Sequence, residues 1–230
     1  MTTLFALILA LAGPVLPAPP PATQAAASVK DLNAIIDGVD KTFASMKNFS
    51  AKFIQVSTNS VNQTLQDEGH LYLTSSKKMR VEYGRPDQPF DQLWVSDGKT
   101  LYTYVPGNRQ ATKDPVKDSM ADQFPIMFLL GRSGLRNEFK DFTKLETKPL
   151  FQGDTVIRLN PNKNNKEIQG IEIEVNPRTS YVDRMKILYA DKASTEFIFT
   201  EIEINRNLPA EKFEFTPPAG VRVIEGSASK

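Results

Sequence analysis

The sequence predicts a mainly β fold of about ten strands in up-and-down antiparallel order, with helices at the front and in the middle of the chain. Short runs of alternating apolar and polar residues extend from Phe49 to Tyr104 and return from Asp154 to Ile204. A period of two is typical of strands with one buried face. Clusters of Gly, Pro, Asn and Asp separate the runs, as turns require. Two apolar segments, one before Phe49 and one at Phe124–Leu130, instead have the spacing or composition of helices.

Residues 1–27 are predicted to be a cleaved signal peptide. Leu4–Leu11 is an apolar run too short to span a bilayer, and Ala25–Ala27 gives a small-residue cleavage pattern before Ser28. No Lys or Arg precedes the run, which leaves open an apolar tail followed by a flexible Ala/Pro linker. We expect residues 28–226 to form a single domain and residues 227–230 a disordered tail.

Composition excludes several classes of function. The chain has no cysteine, one histidine and a net charge of +1. Disulfides, thiolate metal sites and cysteine nucleophiles are therefore absent, and a His-based metal site or triad is disfavoured. A nearly balanced charge gives no field that would attract nucleic acid. Asp67 and Glu68 beside His70 are the one metal-binding alternative, which we disfavour, so we expect no cofactor, no metal and no enzymatic activity.

The front of the domain is predicted to be an amphipathic helix, because apolar residues recur there at steps of three and four. They are Val29, Leu32, Ile36, Val39, Phe43 and Met46. Ser28 with Asp31 resembles a capping box at its start. The stripe either packs on the sheet only or also lines a cavity.

Asp97-Gly98 between two apolar runs predicts a β-hairpin with a two-residue turn. Such a turn places Leu93, Val95, Tyr102 and Tyr104 on one face. A second group consists of apolar residues at alternate positions of the preceding strands, and it is predicted to face a concave interior. Its members are Leu71, Leu73, Met79, Val81 and Tyr83. With a two-residue turn, we expect the first group to join the second in one continuous apolar surface.

The second half of the chain predicts four more strands, at Asp154–Leu159, Ile168–Val175, Tyr181–Tyr189 and Ser194–Ile204. In the last run the apolar residues switch from odd-numbered to even-numbered positions near Thr200-Glu201. This change indicates either a β-bulge or a strand that is buried on both faces. Pro217-Pro218 is expected to end the ordered part of the chain.

The chain has more apolar residues than one buried face of a sheet requires. The chain has 14 Phe, and Phe124–Leu130 is apolar on nearly all sides. That segment is either a buried core helix or a lid that touches a ligand. A sheet that curves around its interior would leave a lumen for an aliphatic guest. The alternative is a fully packed sandwich without a lumen.

Four ordered segments resemble one known family, the periplasmic outer-membrane lipoprotein carriers (LolA family). The central one is Val95–Leu101, followed by Tyr104 and Pro106. Phe49–Gln55 resembles the family's first strand, and Phe128–Arg132 its mid-chain helix. Phe213–Val223 resembles its C-terminal signature. Together the similarity runs from about Leu32 to Ile224, which is nearly all of the predicted mature chain.

This resemblance implies an incomplete, strongly curved antiparallel β-barrel of about 10–11 strands, with a helical lid over a hydrophobic cavity. It implies a soluble, monomeric periplasmic chaperone that is not an enzyme and binds no nucleic acid. Its cargo would be the acyl chains of lipoproteins. An inner-membrane ABC-type complex would release them, and an outer-membrane lipoprotein receptor would accept them. The alternative is a periplasmic lipid- or lipoprotein-sensing adaptor on the same scaffold.

The predicted lipid-binding residues combine the interior positions with the front helix and the lid. They are Val39, Phe43, Phe53, Leu71, Leu73, Met79, Val81, Tyr83, Val95, Tyr102, Tyr104, Phe128 and Leu129. One position departs from the family: Ser75 stands where the family has an arginine that contacts the lid. We therefore expect Ser75 to make a weaker lid contact, unless Lys77, Lys78 or Arg80 replaces it.

Overall fold

The computed structural model describes residues 22–85, 88–116, 134–162 and 167–226. The first half of this part contains α1 (Ala22–Ser45), β1 (Asn48–Thr58), β2 (Thr64–Thr74), β3 (Met79–Tyr83), β4 (Gln92–Ser96), β5 (Thr100–Val105) and β6 (Gln110–Pro115). The second half contains α2 (Leu135–Glu138), β7 (Phe139–Lys144), β8 (Thr155–Pro161), β9 (Ile168–Val175), β10 (Val182–Tyr189), β11 (Ser194–Ile204) and β12 (Arg222–Glu225). Short 3₁₀ helices lie at Pro106–Asn108 and Ala210–Phe213.

All twelve strands belong to one sheet, in the order β12-β6-β5-β4-β3-β2-β1-β11-β10-β9-β8-β7. Neighbours are antiparallel except β12, which runs parallel to β6. In the described part of the chain β12 and β7 are the two edges, so the curved sheet does not close. The predicted fold class is confirmed, with twelve strands instead of ten or eleven. The predicted lid, Phe124–Leu130, lies outside the described residues.

The helix α1 covers one face of the sheet, which we call the inner face. Its residues Ile36, Val39 and Met46 are buried in the same apolar cluster as side chains from β1–β3 and β8–β11. The predicted interior group contributes Leu71, Leu73, Met79 and Val81, with exposed fractions of 4% or less. Burial of this surface supplies most of the driving force for folding. Helix α1 begins at Ala22, inside the predicted leader, whose cleavage stays a prediction.

Of the two alternatives for the change of parity in β11, the structure shows the bulge. Ser50 pairs with Glu203 and Lys52 with Thr200, so two residues of β11 stand opposite Ala51 alone. Glu201 lies there with a φ of 52°, a left-handed conformation. The bulge explains the parity change: Phe197 and Phe199 are buried, whereas Ile202 and Ile204 are partly buried on the far side of the irregularity.

The hairpin between β4 and β5 is present, but its turn is displaced by one residue. The backbone N–H of Asp97 donates to Thr100 O (3.3 Å), so Gly98 and Lys99 occupy the centre of the turn. Only Gly98 has a positive φ, of 94°. The Asp97 carboxylate accepts the N–H groups of Lys99 and Thr100, both at 2.8 Å. The Thr100 hydrogen bond holds the pKa of Asp97 below its usual value.

The predicted continuity of the two apolar groups is wrong. Leu93 pairs with Tyr104 and Val95 with Tyr102, so this group does share one face. However, Val95 pairs with Arg80, whereas Trp94 pairs with Val81. Paired residues point to the same side of a sheet. Val95, Tyr102 and Tyr104 therefore lie on the outer face, opposite α1.

The C-terminal segment explains why the outer face is also apolar here. Leu93, Val95, Tyr104 and Ala111 form a second buried cluster, which Phe90, Phe215 and Val221 cover. The ring of Phe215 lies 5.2 Å from that of Tyr102 and 5.4 Å from that of Tyr104. The chain then continues past Pro217-Pro218 into β12, so the prediction that order ends at these prolines is wrong. Strand β4 is thus buried on both faces.

A group of acidic residues lies where β8, β9 and β10 meet. Glu174 is fully buried; it accepts the Phe151 N–H (2.6 Å) and lies 3.6 Å from the guanidinium of Arg184. Asp154 precedes β8, and burial together with the neighbouring Asp183 raises the pKa of Asp154 to about 7. Burial also raises the pKa of Asp183. The folded chain therefore takes up a proton at this group near neutral pH.

Asp154→Asn is expected to change the pH dependence of stability. The pKa of Asp154 is higher in the folded state than in the unfolded state, so this carboxyl favours folding most below its unfolded pKa of about 3.9. That contribution to stability is lost as the pH rises through the folded pKa of about 7. The asparagine variant, neutral at every pH, should match the parent below about pH 4 and melt at a higher temperature at pH 8. Thermal unfolding monitored by circular dichroism tests this, with the exposed Asp141→Asn as control. An equal change in both variants would contradict the prediction.

Candidate functional site

A cleft of about 490 Å³ opens at one end of the inner face. It lies at the end that carries the β1–β2 hairpin, the β3–β4 loop and the β10–β11 turn. The lining residues are Gln55, Gln66, Asp67, Glu68, Tyr83, Gly84, Arg85, Asp91, Gln92, Trp94, Tyr189, Thr195 and Phe197. The volume lies within the range of small-ligand pockets, roughly 300–1,000 Å³.

Aromatic side chains line the inner part of the cleft. Tyr83 contacts Phe53 edge-to-face with ring centroids 5.3 Å apart, and its ring lies 6.3 Å from that of Trp94. Phe197 lies 6.1 Å from Phe53 and stacks on Phe199 at the same distance. Phe53 and Phe199 are both 2% exposed and belong to the core. The floor of the cleft therefore adjoins the apolar core.

Gly69 makes this aromatic arrangement possible. It pairs with Phe53 on one side and with Tyr83 on the other. A Cβ atom at this position would lie 1.9 Å from Glu82 O and 3.0 Å from Phe53 Cζ. Only glycine fits, and the two rings close over the backbone that it leaves bare.

Tyr83 brings a phenol hydroxyl among these rings. Its hydroxyl donates a hydrogen bond of 3.0 Å to Gln55 Oε1. Burial, together with the charge of Asp67, raises the pKa of Tyr83 to about 12. The phenol is therefore neutral at physiological pH and acts as a hydrogen-bonding anchor for the rim.

The rim of the cleft is polar and mainly acidic. Asp67, Glu68 and Asp91 face a single cation among the described lining residues, Arg85. Gln55, Gln66 and Gln92 add amide groups. An apolar floor under a polar rim suits an amphipathic ligand, whose apolar part enters while its polar part stays near water.

Comparison with known proteins places this arrangement in one family. The model of the family "Outer membrane lipoprotein carrier protein LolA" matches residues 44–216, well over half of the chain. The chain belongs to the LolA family. An outer-membrane lipoprotein carrier protein of Chromobacterium violaceum is 27% identical over 202 residues, which cover 87% of this chain and 89% of that protein. A protein of the same name from Klebsiella pneumoniae (strain 342) is 28% identical over 197 residues, 85% and 87% of the two chains.

A solved structure shares the fold. The crystal structure of an uncharacterized conserved protein from Thermus thermophilus matches with a TM-score of 0.51. It is 13% identical, and the match covers 84% of this chain and 98% of the other. At this identity the likeness concerns the fold alone. The family resemblance predicted from the four sequence segments is confirmed by the family match.

The predicted site residues divide into four groups in this LolA-family structure. Val39, Phe53, Leu71, Leu73, Met79 and Val81 are buried on the inner face, and Phe43 is half-buried beside them. Tyr83 alone of the predicted residues lines the cleft directly. Val95, Tyr102 and Tyr104 lie on the outer face, a correction to the prediction. Phe128 and Leu129 lie outside the described residues.

Ser75 is at the other end of β2 from the cleft. It is exposed in the turn between β2 and β3, and its backbone N–H donates to Lys47 O (2.9 Å). Its predicted partner lies outside the described residues, so the lid contact stays a prediction.

Sequence reasoning missed most of the cleft lining. Trp94 and Phe197 were missed because their face is fixed by pairing with Val81 and with Gln55, which only the structure gives. The polar residues of the rim gave no signal, since they come from β1, β2, β4 and the β3–β4 loop. Within the described ranges, no cluster of three or more His, Asp or Glu could hold a metal ion. The same residues contain no helix that is both long and apolar enough to cross a membrane.

Two substitutions of Tyr83 should separate its hydrogen bond from its packing. Tyr83→Phe removes the bond to Gln55 and should cost about 1 kcal/mol of unfolding free energy. Tyr83→Ala also removes the ring contacts with Phe53 and Trp94, and should cost about 3–5 kcal/mol. Urea unfolding of both variants measures the difference. Equal losses would show that the ring contributes nothing beyond its hydroxyl.

Proposed function

We propose that this protein is a periplasmic carrier of acylated lipoproteins. The acyl chains enter the cleft and spread over the inner face, while the polypeptide of the cargo stays at the polar rim. An inner-membrane ABC-type complex supplies the cargo, and an outer-membrane lipoprotein receptor accepts it. Support comes from the family match and from the names of the relatives, which are lipoprotein carrier proteins.

One observation carries the proposal: the cleft has a polar rim and an aromatic floor that packs against the larger of the two apolar clusters of the described residues. An acyl chain of about 15 methylenes loses roughly 12 kcal/mol when it is exposed to water, at about 0.8 kcal/mol per CH₂. A lipoprotein with two or three chains therefore needs a cover to cross an aqueous compartment. The inner face provides apolar surface of the required kind.

The inner face has to open to accept such a cargo. Leu73 and Met79 are fully buried, so the interior is closed in this conformation. Cargo would replace contacts between α1 and the sheet with contacts to acyl chains, an exchange of one apolar surface for another. The difference in free energy between the two states stays small, which favours release as well as capture.

We infer that the protein acts by binding alone. The raised pKa of Tyr83 keeps its phenol neutral well above physiological pH, and its hydroxyl already donates to Gln55. A nucleophile activated by a neighbouring base is not found among the described lining residues. Ligand specificity would come from shape and from the acidic rim.

Matched aromatic substitutions on the two faces should identify the binding face. Phe197→Ser removes a ring from the cleft floor and should weaken binding of a fluorescent fatty acid by about tenfold. Tyr102→Ser removes a ring from the outer face and should leave the affinity unchanged, although both variants lose stability. Titrations are read from the probe and from Trp94, the only tryptophan of the chain. Equal losses of affinity would contradict inner-face binding.

Depletion in the native host tests the function itself. If the protein is a carrier, its loss should leave outer-membrane lipoproteins in the inner membrane, as measured by fractionation and immunoblotting. Complementation with the parent gene should restore their distribution, and complementation with Phe197→Ser should restore less. Unchanged lipoprotein sorting would contradict a carrier and favour the sensing adaptor.

A further inference from the structure

The tip of the β1–β2 hairpin exposes apolar side chains next to the cleft. Val61 is 69% exposed and Leu65 is 64% exposed. They are two of the four large apolar side chains that the described residues expose; Leu150 and Val223 are the others. An isolated exposed apolar residue is ordinary, but two on one hairpin tip form a local surface.

This hairpin tip also lacks charge. Residues 56–66 read Val-Ser-Thr-Asn-Ser-Val-Asn-Gln-Thr-Leu-Gln and contain no Asp, Glu, Lys, Arg or His. Charged residues make up 24% of the whole chain. Removing a charged group from water is the most costly part of a transfer into lipid. The tip carries no ionised group and therefore avoids this cost.

Several polar groups at the tip are satisfied within the hairpin. Asn59 Oδ1 accepts the N–H groups of Val61 (3.1 Å) and Gln63 (2.9 Å), and Asn59 Nδ2 donates to Gln63 Oε1 (2.9 Å). The backbone N–H of Asn59 donates to Gln63 O, and that of Asn62 donates to Asn59 O, both at 3.0 Å. A loop with internal hydrogen bonds loses little when water is removed from it.

The exposed tip continues the wall of the cleft. Leu65 pairs with Ser57, and Asp67 pairs with Gln55, so Leu65 lies on the inner face beyond the rim. Gln55 and Gln66 of the same two strands line the cleft. A ligand leaving the cleft along β1 and β2 would therefore pass Leu65 first.

We propose that the β1–β2 tip is a contact site for the interfacial region of a lipid bilayer. Val61 and Leu65 enter the boundary between headgroups and acyl chains, and the neutral Asn, Ser, Thr and Gln side chains stay at headgroup level. Absence of charge makes this contact independent of anionic lipids. Two side chains give a weak, reversible attachment, which brings the cleft to the membrane without anchoring the protein there.

Single-cysteine labelling tests the contact, because the chain has no cysteine of its own. Val61→Cys and Leu65→Cys variants of the full mature chain are labelled with the environment-sensitive dye NBD. Leu150→Cys is the matched control, since Leu150 is also exposed, at 57%, but lies far from this hairpin in sequence, between β7 and β8. Zwitterionic phosphatidylcholine vesicles carrying a lipid-bound quencher are then added. We expect increased emission and quenching at positions 61 and 65, and neither change at position 150.

A second measurement uses no dye. The double variant Val61→Ser and Leu65→Ser should bind the same vesicles about tenfold less in flotation, whereas Leu150→Ser should bind as the parent does. Binding should be equal in low and high salt, because no charge takes part. Unchanged melting temperatures would show that the serine variants fold.

Three results would overturn the proposal. The first is equal dye responses at positions 61, 65 and 150, and the second is parent-like flotation of the double serine variant. The third is a dye signal that rises with protein concentration without vesicles, which would assign the tip to contact with a second copy of the chain. Fatty-acid binding in the cleft is measured in parallel. Failure of the proposed function would remove that binding and leave the vesicle contact intact.

Discussion

The inner face of the sheet has to be covered, and this requirement shapes most of the molecule. Leucine, isoleucine, valine and phenylalanine side chains from nine strands are buried in one cluster, and α1 lies across it with Ile36, Val39 and Met46. Each side chain buried there contributes about 1.5–3 kcal/mol relative to exposure. Because the described sheet leaves its edges apart, this cover comes from a helix packed against the face and not from closure of a barrel.

A helix that covers the sheet through packed side chains can be displaced without breaking hydrogen bonds between strands. Opening a closed barrel would break such bonds. In the exchange proposed above, the hydrogen bonds between strands stay in place while a guest replaces contacts of α1. Apart from the bonds of Asp37 and Asp40 to α2, the contacts that change are apolar, individually weak and not directional. In this proposal the exchange begins at the cleft, whose lining rings Tyr83 and Phe197 contact the buried rings of Phe53 and Phe199.

The two faces of the sheet serve different purposes. The outer face carries a small apolar cluster that the C-terminal segment covers permanently through Phe215 and β12. Elsewhere it carries ion pairs, such as Arg158 with Glu172 and Lys52 with Glu201. Partly exposed ion pairs of this kind contribute little stability, but their charges keep this part of the outer face hydrated. In the proposed function, the guest therefore occupies the inner face.

The sequence by itself determined most of the strands, the front helix, the family and the inner-face group around Leu71 and Met79. These features follow from local periodicity, turn chemistry and ordered motifs, which neighbouring residues encode. Only the tertiary structure decided to which face Val95, Tyr102 and Tyr104 belong. Strand β4 is apolar on both faces, so its pattern does not select one, and the choice depends on pairing with β3 and on a segment more than a hundred residues away. The cleft likewise needed the tertiary structure, because its polar rim gathers residues from strand ends that no local pattern brings together.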